Sequence, residues 1–113
     1  MTDNVLNRAD ILARAKLSWN NKSLEARIKA GGKYQHFWNK FKLPTNDWVN
    51  EFDNLTVYQQ NVIIKGELIR FYDSLPNLQK THIMREFGLS SFSSKWYKLS
   101  GEDKKKLLNY VIK

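Results

Sequence analysis

The chain has 113 residues, 42% of them hydrophobic and 13% aromatic, which is enough apolar material for one folded domain and argues against wholesale disorder. It contains no cysteine, which excludes disulfides, thiolate metal sites and a cysteine nucleophile. Its formal net charge of +8 directs attention to a polyanionic partner.

Helical spacing dominates from the start. Ile11, Leu12, Ala15 and Trp19 share one side of a first helix, with Thr2 or Asp3 as its expected cap and Asn20-Asn21 at its end. Ser23 is placed to cap a short helix through Ala30, which Gly31-Gly32 is expected to stop. Next, Tyr34, Phe37, Trp38 and Phe41 mark an apolar face, while Lys33, His36 and Lys40 form a basic stripe on the other side. Pro44 breaks the chain, and Thr45 is placed to cap a helix holding Trp48, Val49 and Phe52.

Thr56 or Asn54 opens the longest element, which runs to about Ser74. Its length between cap and Pro76 favours helix over strand for Val62-Ile63-Ile64. Leu78, Ile83, Met84 and Phe87 predict a helix ending at Gly88, followed by a short element with Phe92, Trp96, Tyr97 and Leu99. Ser100 and Asp103 stand in capping-box register before a last helix through Ile112. The expected fold is all-α: one domain over residues 1–113, a compact bundle of about seven to eight mostly short helices.

The charge is uneven along this bundle. Residues 1–42 hold nine Lys/Arg against three Asp/Glu, residues 43–77 two against five, and residues 78–113 eight against three. Two basic ends around an acidic middle are the footprint of a nucleic-acid-binding chain. The start, Met1-Thr2-Asp3-Asn4, lacks the features of a secretory signal, and no apolar run reaches bilayer length. A cytoplasmic location without membrane contact is therefore expected.

The segment 78–99, and within it Thr81–Tyr97, resembles a helix-turn-helix unit. Gly88 sits in the turn, Ile83, Met84 and Phe87 precede it at core spacing, and Leu89 follows. A second helix would present Ser91, Ser94, Lys95 and Lys98 to a DNA groove. Ser94 departs from this pattern, because such units usually hold a β-branched core residue there. Lys80 and the run Lys104-Lys105-Lys106 are the expected phosphate contacts, and Lys33, His36 and Lys40 a second basic stripe. Arg8, Ile11-Leu12, Ala15, Ser23-Leu24, Ala30-Gly31 and Phe37-Trp38-Asn39-Lys40-Phe41 resemble the DNA-binding part of TetR-type repressors in outline. The loop before Ser23 is several residues too short for that family, so the likeness is assigned to helix periodicity.

Catalysis finds little support. His36 and His82 are far apart and show no metal-ligand spacing. Asp47 and Glu51 read as a solvated helix side, and Gly31-Gly32-Lys33 lacks the spacing of a phosphate-binding loop. No enzyme activity, cofactor or metal is expected.

The favoured function is a DNA-binding regulator or accessory factor of a phage or plasmid. Double-stranded DNA is preferred over RNA as the partner, and a homodimer would engage two half-sites. The alternative is a mobile-element inhibitor or adaptor, of the anti-CRISPR type, that binds a host protein or nucleoprotein complex. In that case Trp19, Trp38, Trp48 and Trp96 would supply interface anchors.

Overall fold

The computed structural model describes residues 6–38 and 48–112, with side chains left undescribed at 32 and 34–38. Among the described residues the chain is mostly helical and has no strand. The described residues form five α-helices, fewer than the seven to eight expected, because neighbouring segments merge and two expected helices are replaced by 3₁₀ turns.

Helix α1 spans Arg8–Asn20. Its cap is Asn7, whose side-chain oxygen accepts from the N–H groups of Ala9 and Asp10. The start therefore lies downstream of Thr2 and Asp3, which fall outside the described residues. Helix α2 spans Leu24–Trp38, and the Ser23 hydroxyl accepts from Ala26 N–H at 3.1 Å, as its sequence position predicts.

Gly31-Gly32 does not stop α2. A Cβ on Gly31 would lie 2.1 Å from Cγ of Trp48, so this glycine is where an indole packs on the helix backbone. A mid-helix glycine costs about 1 kcal/mol relative to alanine, and here it admits the Trp48 ring. Trp48 in turn meets Trp19 edge-on, with centroids 5.9 Å apart.

The expected helix around Trp48, Val49 and Phe52 is absent. Residues 48–49 and Phe52–Asn54 are short 3₁₀ turns, and Thr45 lies outside the described residues. Side chains of α1 and α2 take the backbone groups that a helix would have used. Arg27 donates to the carbonyls of Trp19 (3.3 Å), Asn20 (3.0 Å) and Val49 (2.7 Å). Trp19 Nε1 donates to Asn50 O at 2.9 Å, and Phe52 N–H donates to Asn20 Oδ1 at 2.8 Å.

Helix α3, Val57–Ser74, opens on a complete capping box between Thr56 and Gln59 and carries Val62-Ile63-Ile64 as helix. Helix α4, Asn77–Phe87, begins after Pro76 and ends on Gly88 at φ 63, where Leu89 N–H returns to Met84 O. Helix α5, Gly101–Ile112, starts after Ser100, whose hydroxyl accepts from Asp103 N–H at 3.1 Å. Helices α1, α3 and α5 pack on one another around Ile11, Ala15, Leu68, Leu107 and Val111, all fully buried.

Candidate nucleic-acid interface

No helix occupies residues 89–95, directly after Gly88. Residues 89–95 are irregular and lead into a 3₁₀ turn at Trp96–Lys98, so the helix-turn-helix expectation is corrected. The segment is held open by partners from three other elements. Ser90 donates its N–H and its hydroxyl to the Asp103 carboxylate, at 3.0 and 2.9 Å. The Tyr72 hydroxyl donates to Ser93 O at 2.5 Å, and Trp96 N–H donates to Asp73 Oδ1 at 2.8 Å. Backbone groups bound in this way are unavailable to a helical ladder.

Lys80 completes that set. Its side chain is 4% exposed. Its ammonium donates to Ser94 O at 2.6 Å and to Asp73 O at 3.4 Å, above the Tyr72 ring. A buried cation satisfied by carbonyls holds the fold and does not face phosphate, so its expected role is also corrected.

Two cations of this end, Lys98 and Lys104, meet Tyr97, which is 69% exposed. Lys98 Nζ lies 5.9 Å from the Tyr97 ring centroid, and Lys104 Nζ donates to Tyr97 O at 3.4 Å. Lys65, on α3, faces Lys104; burial first, and then the Lys104 charge, lower the Lys65 pKa from its ordinary value. Lys95 and Lys105 are exposed, as are Ser91 and Phe92, while Ser94 is half-buried. Lys106 is exposed but donates to Gly88 O at 2.8 Å, at the C-terminal end of α4.

A second cationic surface lies along α2. Lys22, Lys29 and Lys33 line an open groove of about 390 Å³ together with Ala26, Ala30 and Arg70 of α3. Of the expected basic stripe, Lys33 is exposed here, the side chain of His36 is undescribed, and Lys40 lies outside the described residues. Lys22, Lys29 and Arg70 were missed by the sequence reading. Lys29 and Lys33 are one turn apart, a spacing that becomes informative once α2 runs through Gly31-Gly32.

Between described residues, carboxylates pair with Lys16 (Asp53, 2.7 Å) and with Arg70 (Glu67, 2.8 Å). Lys95, Lys98, Lys104 and Lys105 form no ion pair with a described carboxylate. Trp19, Trp48 and Trp96 are not surface anchors, being 1%, 1% and 5% exposed, and the Trp38 side chain is undescribed. Among the described residues no three His, Asp or Glu side chains gather to hold a metal ion, His82 is exposed, and Asp47 lies outside that set. Among the described residues no helix is long and apolar enough to cross a membrane. Comparison with protein-family models, with curated proteins and with solved structures finds no match to this chain.

Proposed function

We propose that the protein binds nucleic acid through phosphate contacts, without a base-reading helix. The observation that supports this reading is that Lys98 and Lys104 both meet the exposed Tyr97, with Lys65 near enough to Lys104 for the two charges to interact. Like charges held together lower stability unless a polyanion receives them, and Lys95 and Lys105 add to the same field. Without a recognition helix, the preference for duplex DNA rests on charge alone. Exposed Tyr97, beside Lys98 and Lys104, suits unpaired bases, because a ring stacks on any base while lysines follow the backbone.

The test is a titration of fluorescent single-stranded and duplex oligonucleotides at several salt concentrations. The pair Lys98→Glu with Lys104→Glu should weaken binding by at least about tenfold and reduce the salt slope by about two. Lys16→Gln, at a lysine already paired with Asp53, should change affinity less than about twofold. Tyr97→Ala should weaken single-strand binding by about tenfold and spare the duplex. Absence of binding at low salt, or equal losses from the Lys16 change, would remove this function.

A further inference from the structure

The two cationic surfaces diverge around α3. Lys65 and Arg70 are five residues apart on that helix, about 140° around its axis. Lys65 lies within the field of Lys104 of α5, which packs on α3, and the 3₁₀ turn carrying Tyr97 and Lys98 also packs on α3. Arg70 instead closes the groove against Lys22, Lys29 and Lys33. The groove keeps a net positive charge, with Glu67 the carboxylate ion-paired to its cations among the described residues. Glu67 engages one guanidinium nitrogen of Arg70, and a guanidinium carries five N–H donors. Lys29, Lys33 and Arg70 are all exposed.

We infer that the groove of Lys22, Lys29, Lys33 and Arg70 is a second phosphodiester-binding surface, so that one protein molecule bridges two nucleic-acid segments. This inference rests on the nucleic-acid reading above. Two surfaces on one face would lengthen a single contact track. Two surfaces turned this far apart cannot follow one short strand without wrapping it around α3. The three lysines and one arginine take phosphates as charges, with no sequence choice.

The experiment immobilises oligo-dT, which cannot pair with itself, saturates it with the full chain, washes, and adds fluorescent oligo-dT in solution. The wild type should retain the second strand. Lys29→Glu with Lys33→Glu should bind the immobilised strand within about threefold of wild type, yet lose capture of the second by about tenfold or more. Arg70→Gln, a milder change, should lower capture by a smaller factor. Lys98→Glu with Lys104→Glu should weaken retention of the immobilised strand by about tenfold and lose capture of the second, and capture at the wild-type level by this variant would overturn the bridge. Binding of the first strand without capture of the second overturns the bridge alone. Capture by the Lys29/Lys33 variant at the wild-type level also overturns it, since bridging would then come from self-association. Failure of the wild type to bind the first strand overturns the nucleic-acid reading itself, and the bridge with it.

Discussion

The Asp103 carboxylate binds both the backbone N–H and the hydroxyl of Ser90, at 3.0 and 2.9 Å. This contact ties the start of α5 to the chain just past Gly88, and it is 1% exposed at Asp103. It also explains why the segment after α4 is not a helix. Ser90 N–H has a carboxylate for a partner, and Ser93 O and Ser94 O receive Tyr72 and Lys80.

Replacing Asp103 by Ala should therefore destabilise the fold by about 1.5–3 kcal/mol, the loss of hydrogen bonds to a charged, buried carboxylate. The effect should depend on pH. Burial raises the Asp103 pKa, but the hydrogen bonds from Ser90 and Ser100 and the Lys106 charge outweigh it, so the net value lies below the ordinary carboxylate range. A depressed folded-state pKa gives stability that is present above the unfolded value of about 3.9 and is lost as pH falls through the folded value. Thermal melts of wild type and Asp103→Ala should differ most at neutral pH and converge in acid. A difference that grows on acidification would contradict the assignment.

Lys80 should behave as a core residue. Lys80→Met keeps the apolar stem but strips Ser94 O of its donor, and should cost about 1–3 kcal/mol in chemical denaturation. Measured per folded molecule, nucleic-acid affinity should stay within about twofold of wild type, because the lost ammonium never faced solvent. A large affinity loss with unchanged stability would return Lys80 to the surface role that its charge alone implies.

Gly31 and Trp48 should be energetically coupled. Gly31→Ala gains helix propensity of about 1 kcal/mol, yet its methyl would collide with a buried indole at 2.1 Å. Overpacking of this kind costs about 1–3 kcal/mol, so the net change should be destabilising. In a Trp48→Leu background the same substitution should cost less or become favourable. A double-mutant cycle by urea unfolding checks this, with zero coupling as the contrary result.

What the sequence made legible was what local chemistry decides. Ser23, Thr56 and Ser100 cap the helices they were expected to cap, and Gly88 ends α4 in the left-handed conformation. The all-α class follows from the same periodicity. What failed depended on contacts distant in sequence. Gly31-Gly32 looks like a stop until Trp48 is known to pack on it. The helix expected near Val49 gives way because Arg27 and Trp19 bind its carbonyls. Lys80 looks like a surface cation because nothing nearby announces Ser94 O as its partner. For the candidate site, Lys95, Lys98, Lys104 and Lys105 were visible as charges. Lys65 was hidden inside an acidic segment, and Lys22, Lys29 and Arg70 only become a set when α2 and α3 close one groove.

Lys104 offers a sharper test, because stability and binding should move in opposite directions there. Its charge disfavours the charged form of Lys65, so the pair resists folding at neutral pH. The compensating contact, from Lys104 Nζ to Tyr97 O, is exposed and long at 3.4 Å, and contributes little. Lys104→Gln should therefore stabilise the free protein by a few tenths of a kcal/mol, a rise of about 1–3 °C in Tm. The gain should shrink in high salt, where like charges are screened. The same substitution should weaken oligonucleotide binding and lower the salt slope by about one, since one phosphate contact is lost. A merely solvated lysine would leave both quantities unchanged. A structural lysine would lower Tm. A higher Tm joined to weaker, less salt-sensitive binding is the signature of a cation held for a polyanion, at some cost to the fold that carries it.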